Sequence, residues 1–152
     1  MSEDTTPDTT LRIERLIDAP PEVVFDAWTK PEAMEVWYAD GPNGHARVVE
    51  QDLRVGGRFR IQWGPDKTAQ YEEHGEYLVL DRPRQLVLTE TLVAAEGGWQ
   101  ETRVTVTFEN VDGKTRLTLV HEKMPSKEAR DGAAGGWPGF LDRLERYAIA
   151  NR

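Results

Sequence analysis

The sequence predicts an α+β fold in which a curved antiparallel sheet of about seven strands is wrapped on a long C-terminal helix. From residue 45 to about residue 121, apolar and polar residues alternate in segments that are separated by short turns. Beyond residue 136, apolar residues recur at intervals of three and four. Short turns favour hairpins, and an amphipathic helix is the expected cover for the apolar face of such a sheet.

The N-terminal part predicts one strand followed by two short helices. "LRIERLID" alternates apolar and polar residues, which is typical of a strand. The prolines of "APPEVVFDAWT" suit the first turn of a helix that Asp18 could cap. Thr29-Lys30-Pro31-Glu32 matches a capping box, so we expect a second helix and a break at "TKP".

Further strands are predicted across the middle of the chain. Each break between them carries glycine, proline or aspartate, as turns require. Gly56 and Gly57 predict a hairpin turn or bulge that lets the sheet curve. The predicted strands lie near residues 45–51, 57–63, 70–80, 85–94, 101–109 and 114–121.

The last segment predicts the long helix, but its start is ambiguous. "DGAAGGWPG" places four glycines and a proline before the apolar stripe. Inside a helix, a glycine costs about 1 kcal/mol and a proline about 3 kcal/mol relative to alanine. Either the helix begins near Gly136, or a longer helix from about Ser126 is kinked there. The stripe comprises Trp137, Phe140, Leu141, Leu144, Tyr147 and Ala148.

Length and composition indicate one globular domain over residues 10–152, preceded by a loose tail at residues 1–9. Hydrophobic residues make up 38% of the chain and charged residues 30%, which is typical of a folded protein. The net charge of −8 argues against nucleic acid as a partner, because phosphate binding needs a positive field.

The location and redox chemistry of the protein are also constrained by the sequence. No apolar run approaches the roughly 20 residues that span a bilayer. The start "MSEDTTPDTT" lacks the features of a signal peptide, so we expect a cytoplasmic location. The chain has no cysteine, which excludes disulfides and thiolate chemistry.

No motif in the sequence indicates a particular reaction. The three histidines, His45, His74 and His121, are not paired as metal ligands are, so we predict no metal site. The serines, Ser2 and Ser126, lie outside any G-x-S-x-G elbow. A P-loop and a G-x-G-x-x-G fingerprint are both missing, and we predict no cofactor.

Five stretches together carry a resemblance to a known family. They are "IDAPPEVVFDAWTKPEAMEVWY", "DLRVGGRFRI", "HGEYLVLDRPRQLVLT", "VTVTFENVDGKTRLTLVHE" and "GWPGFLDRLERY". The five stretches follow one another in the order expected and cover the chain from about residue 11 to residue 150. On these residues the chain resembles the START-like (SRPBCC) superfamily, which has the helix-grip fold. More closely, it resembles the subfamily named after the C-terminal domain of the activator of the ninety-kilodalton heat-shock-protein ATPase.

The resemblance implies a hydrophobic cavity between sheet and helix. Relatives bind lipids, hormones or polyketides there, or act as cyclases. Many relatives have tryptophan after the threonine of the fifth strand, whereas this chain has Glu90 after Thr89. If that position faces the cavity, a carboxylate replaces an indole.

Several side chains are candidates for lining this cavity. Phe59, Ile61 and Trp63 share one face of the third strand, where plain core packing is the alternative for the first two. Trp63 lies at the strand end, and its N–H needs a partner if it is buried. The full set comprises Trp28, Trp37, Phe59, Ile61, Trp63, His74, Glu90, His121, Trp137 and Phe140.

The polar candidates are assigned by the alternation of the strands. His74 and Glu76 share one face of "EEHGEYLVL", and Tyr71, Glu73 and Tyr77 share the other. His121 falls on the face of Leu117 and Leu119, which should be inward. An inward histidine could act as a general base or a ligand anchor. The alternative is a strand-end histidine bonded to backbone or water.

Three functions are consistent with the sequence. The first is the binding of a small hydrophobic or amphipathic molecule in the cavity. The second is a cyclase-like enzyme that works through His121 or Glu90. The third is a protein-interaction domain like the namesake co-chaperone, since the net charge of −8 suits a basic client surface. The sequence predicts neither the ligand nor the oligomeric state.

Overall fold

The computed structural model describes residues 8–39, 41–68, 70–95 and 97–152, and these form seven strands and three helices. The predicted tail at residues 1–9 lies outside the described residues except at its end, where the Thr9 carbonyl accepts a hydrogen bond from Met124 N at 3.2 Å. The elements are β1 (Leu11–Ile17), α1 (Pro21–Thr29), α2 (Pro31–Trp37), β2 (His45–Gln51), β3 (Arg58–Gly64), β4 (Tyr71–Asp81), β5 (Gln85–Ala94), β6 (Trp99–Val111), β7 (Lys114–Glu122) and α3 (Lys127–Ala150).

The strands form one antiparallel sheet in the order β1-β7-β6-β5-β4-β3-β2. β2 to β7 follow one another as a meander, and β1 pairs with β7 at the far edge. The helices α1 and α2 therefore connect the two opposite edges of the sheet, and α3 covers its apolar face. The predicted α+β helix-grip fold is confirmed.

The two short helices break at "TKP" as predicted, but the predicted caps do not form. Lys30 is extended between the helices, since the residue before a proline avoids helical backbone. Thr29 is the last residue of α1 and Lys30 takes the N-cap position of α2, so Thr29 cannot form the predicted capping box. Asp18 pairs with Arg152 at 2.8 Å and does not cap α1.

Helix α3 is continuous from Lys127, so the longer of the two predicted helices is the one that forms. Ser126 caps it, and its Oγ accepts a hydrogen bond from Ala129 N at 3.1 Å. Leu141 and Leu144 are fully buried against the sheet and the short helices, and their packing offsets the cost of the glycines. No helix among the described residues is long and apolar enough to cross a membrane.

Two glycine sites shape the sheet. Gly56 has φ +85° in the turn between β2 and β3, a backbone conformation that glycine adopts at little cost. In β4, a Cβ at Gly75 would overlap the Thr89 carbonyl oxygen and lie 3.0 Å from the Phe59 ring. Gly75 therefore lets β4 approach β5 closely while the Phe59 ring lies beside it.

Glycine-to-alanine substitutions at two positions are expected to change the free energy of unfolding in opposite directions. Gly75→Ala should lower the free energy of unfolding by about 1–3 kcal/mol, because the new methyl group overlaps backbone. Gly132→Ala should raise it by up to about 1 kcal/mol, because a Cβ there meets nothing within 4 Å and helix propensity improves. Urea denaturation of both variants checks this, and equal effects of one sign would contradict it.

Candidate functional site

A cavity of about 730 Å³ lies between the sheet and the N-terminal half of α3, and it is open to solvent on one side. Its walls come from β3, β4, β5, β6 and α3, and Tyr38 at the end of α2 closes one corner. This volume is within the range of pockets that hold small organic molecules.

The cavity exists because the N-terminal half of α3 carries almost no side-chain volume. Ala129, Gly132, Ala133 and Gly136 recur at intervals of three and four, so they share the helix face that lines the cavity. A Cβ at Gly132 or Gly136 would meet nothing within 4 Å. Further along the helix, the large side chains of α3 fill the space against the sheet.

Aromatic rings form most of the cavity wall. Trp63 stacks on Tyr71 with ring centroids 5.4 Å apart, and it meets Tyr38 edge-on at 5.2 Å. Phe140 lies 5.7 Å from Trp63 and 6.1 Å from Trp137, so the rings form a continuous surface. Trp99 on β6 lines the side next to Leu92, its partner in the sheet.

Two glutamates of neighbouring strands point into this aromatic cavity. Glu73 on β4 pairs with Leu92, which lies two residues beyond Glu90 on β5, so the two glutamates are diagonal neighbours on one face. Glu73 is 5% exposed and Glu90 4% exposed. The Tyr38 hydroxyl donates to Glu73 Oε1 at 3.0 Å, whereas Glu90 Oε2 has no hydrogen-bond partner among the described residues.

Burial sets the protonation of this pair. It raises the pKa of Glu73 to about 8, although the hydrogen bond from Tyr38 acts in the opposite direction. Burial and then the charge of Glu73 raise the pKa of Glu90 well above its usual range. The nearby Trp99 indole N–H acts on the pKa of Glu90 in the opposite direction. At neutral pH the pair therefore retains at least one proton.

The third polar candidate, His121, is held by partners on both sides of its ring. An indole N–H only donates, so the bond from Trp137 Nε1 to His121 Nδ1 at 3.1 Å makes Nδ1 an acceptor. Nε2 then carries the proton and donates to Thr102 Oγ1 at 2.7 Å. The Thr102 hydroxyl donates in turn to the Glu90 carbonyl at 2.7 Å.

His121 is consequently neutral, and both of its ring nitrogens are used in hydrogen bonds that stabilise the fold. Burial lowers its pKa to about 4, and the ring does not line the cavity. A general base needs a free lone pair on a ring nitrogen, and here Trp137 occupies it. The histidine instead joins β7 to α3.

The structure brings four of the predicted residues to the cavity, namely Trp63, Glu90, Trp137 and Phe140. Phe59 and Ile61 are buried in the core beside it. Trp28 and Trp37 pack behind the wall, with ring centroids 5.1 Å apart.

His74 does not line the cavity. It is exposed, because side chains alternate along β4 and the adjacent Glu73 takes the inner face. The prediction that His74 and His121 line the cavity is thus corrected by the geometry.

Sequence reasoning missed Glu73, Trp99 and Arg143 as residues that line the cavity. Glu73 carried a usable signal, since it shares a strand face with the aromatic residues Tyr71 and Tyr77. Arg143 had no such signal. Its Nε donates to the Trp37 carbonyl at 2.8 Å, and its guanidinium lies 5.0 Å from the centre of the Phe140 ring.

Comparison with known proteins agrees with this architecture. The model of the family described as "Activator of Hsp90 ATPase homolog 1-like protein" matches residues 18–148. The chain belongs to this family. No curated protein sequence matches it significantly.

Solved structures similar to this family member come from several bacteria. Protein CV1439 from Chromobacterium violaceum has 25% identity and a TM-score of 0.81, over 92% of this chain and 96% of its own. Ms6760 from Mycobacterium smegmatis has 25% identity and a TM-score of 0.76, over 94% and 90%. MLL2253 from Mesorhizobium loti has 26% identity and a TM-score of 0.72, over 94% and 98%.

The hydrogen bond between Trp137 and His121 can be tested with a matched pair of tryptophans. Trp137→Phe leaves the buried Nδ1 of His121 unpaired, whereas Trp28→Phe removes an indole N–H that has no partner. We expect Trp137→Phe to lower the free energy of unfolding by about 1–3 kcal/mol more than Trp28→Phe does. Chemical denaturation measures both, and equal losses would contradict a stabilising role for the bond.

Stability should fall between pH 6.5 and pH 8. Both glutamates hold protons more tightly in the folded state, so their contribution is complete below pH 4.5 and falls as the pH rises, and that of Glu73 is lost as the pH passes through its pKa of about 8. His121 has the opposite effect on stability, because its pKa is lowered from 6.5 to about 4. Its contribution to the free energy of unfolding falls only as the pH drops below 6.5, so it does not alter the change between pH 6.5 and pH 8. Each carboxyl group with a raised pKa lowers the free energy of unfolding by up to about 1.4 kcal/mol for each unit rise in pH.

The slope is measured by urea denaturation at pH 6.5 and pH 8. The fall in stability with pH should be shallower in Glu73→Gln and in Glu90→Gln. Glu101→Gln makes the same substitution at an exposed position and should leave the pH dependence unchanged. A slope that is the same in all three variants would show that the pair does not titrate as described.

Proposed function

We propose that this protein binds a small hydrophobic or amphipathic molecule in the cavity between the sheet and α3. The observation that carries the proposal is a cavity of about 730 Å³ that is lined by aromatic rings and by Glu73 and Glu90, with Glu90 Oε2 buried beside it and unpaired within the described part of the chain. Apolar walls with a few convergent polar groups are typical of ligand pockets. A buried acceptor without a partner is costly unless a ligand or water completes it.

The glycines of α3 support the same proposal. Gly132, Gly135 and Gly136 line the cavity, and none has a neighbour that a Cβ would meet within 4 Å. Each costs the helix about 1 kcal/mol relative to alanine, so packing alone gives no reason for glycine there. Larger residues would stabilise the helix and fill the space. An unfilled cavity that lowers the stability of the fold is typical of a functional site.

An acid–base enzyme is the second candidate, and the Glu73–Glu90 pair favours it. Carboxyl groups with raised pKa values can donate or accept protons near neutral pH. Glu90 remains available for this role, whereas both nitrogens of His121 are occupied. Recovery of every bound compound chemically unchanged after prolonged incubation would count against the enzyme.

A protein-interaction role is the remaining alternative, and it rests on the net charge of −8 and on the family resemblance. The cavity does not require such a partner. A pull-down from lysate that recovers no stoichiometric partner would count against this role.

Ligand binding is tested by a thermal-shift screen against fatty acids, sterols, flavonoids and aromatic polyketides, together with aromatic amines and alcohols. A ligand at 100 times its dissociation constant adds about 2.7 kcal/mol and should raise the melting temperature by several degrees. Gly136→Leu places a side chain in the cavity and should abolish that shift.

Ala134→Leu is the matched control. Ala134 is exposed on the same helix and does not line the cavity, so the shift should survive this change. A ligand shift that persists in Gly136→Leu would place binding elsewhere. The lack of any shift across the panel would refute the proposed function.

A further inference from the structure

We propose that the ligand is an organic cation, namely an amine or quaternary ammonium group joined to an apolar body. The inference rests on the proposed function, because it names the chemical class that the same cavity takes. It is carried by the buried carboxyl groups of Glu73 and Glu90 together with the aromatic wall around them.

The two carboxyl groups supply acceptors at the base of the cavity. Glu73 keeps one hydrogen bond, from the Tyr38 hydroxyl at 3.0 Å. Glu90 Oε2 is buried without a partner. An ammonium group has only donors to offer, so it complements this unpaired acceptor, and its positive charge favours the ionised form of the carboxyl group beside it.

The aromatic wall acts in the same direction. Ring faces carry partial negative charge, and cations are attracted to them, most strongly to tryptophan. Trp63 is in contact with both Tyr71 and Phe140, Phe140 is in contact with Trp137, and Trp99 lines the same cavity. An aromatic enclosure with a buried carboxyl group suits a cationic head better than an uncharged one.

The charged residues at the rim do not reverse this preference. Glu128 and Arg143 of α3 line the cavity with opposite charges. The Arg143 guanidinium donates to the Trp37 carbonyl and lies over the Phe140 ring. An anionic ligand would gain no opposite charge from Glu73 and Glu90 in either protonation state, which is unfavourable in a buried site.

Binding of a cation should release a proton from the glutamate pair. Before binding, the pair retains a proton because of burial, and an ammonium group beside it favours the ionised form. The released proton passes to the buffer, while the ligand keeps its own. The other groups that face the pair are Tyr38 from α2, Tyr77 from β4, Glu128 and Arg143 from α3, and, through Thr102, the neutral His121 of β7.

Titration calorimetry with three probes of one shape tests the inference. Phenylbutylamine, phenylbutanol and phenylbutyrate share their apolar body and differ in the charge of the head. At pH 6.5 we expect the amine to bind about tenfold more tightly than the alcohol, and the butyrate to bind weakest. Repeating the amine titration in buffers of different ionisation enthalpy should show about one proton released per ligand.

Glutamine variants assign the preference to the pair. Glu90→Gln and Glu73→Gln should lower the affinity for the amine about tenfold and leave that for the alcohol nearly unchanged. Proton release should also fall in both variants. Glu101→Gln makes the same charge change on an exposed residue outside the cavity and should behave as the wild type. If a cavity variant fails to fold, the relative affinities of the three probes for the wild type and its proton release still test the inference.

The outcomes separate this inference from the proposed function. Equal affinity for amine and alcohol would overturn the cation inference while supporting a binding cavity. An amine preference that survives in both glutamine variants would also overturn it, since the net charge of −8 would then be the cause. If none of the probes binds, the cation inference is overturned, and the broader screen with Gly136→Leu decides the proposed function.

Discussion

The hydrogen bond between Trp137 and His121 ties the long helix to the sheet at the point where the helix changes character. Beyond Trp137, α3 buries Leu141 and Leu144 in the core. Before it, the helix presents alanine and glycine to open space. Because the indole anchors the helix here, its N-terminal half can stand away from β4 and β5 without losing its position. The cavity depends on this anchor, whereas burial keeps the histidine neutral.

The cavity combines several features that each lower stability. Glycines weaken the helix that covers it, and Pro138 removes one backbone donor from the same helix. Two carboxyl groups are buried together beneath aromatic rings, one of them with an unpaired oxygen. The packed half of α3 and the paired strands compensate for these costs. Such costs are understandable where a bound molecule supplies the missing contacts, since its binding stabilises the folded state.

Particular elements show how far sequence reasoning reaches. The strand positions follow the alternation closely, as β2 at residues 45–51 and β5 at residues 85–94 illustrate, because burial of one sheet face imposes a period of two. The capping box predicted at Thr29 does not form because the first helix extends to Thr29 and Lys30 becomes the N-cap of the second helix. The start of α3 was ambiguous, since local propensity argues against a glycine-rich helix and only packing overrides it.

The sequence by itself determined the antiparallel meander, the amphipathic helix and the faces on which Trp63 and His121 lie, because these follow from local periodicity. It also placed Glu73 among aromatic residues on one strand face. Only the tertiary structure decided that Glu73 and Glu90 are neighbours, since this depends on the register of β4 against β5. It likewise decided that the ring of His121 is occupied by Trp137 and Thr102, because contacts between distant residues arise from packing and not from local pattern.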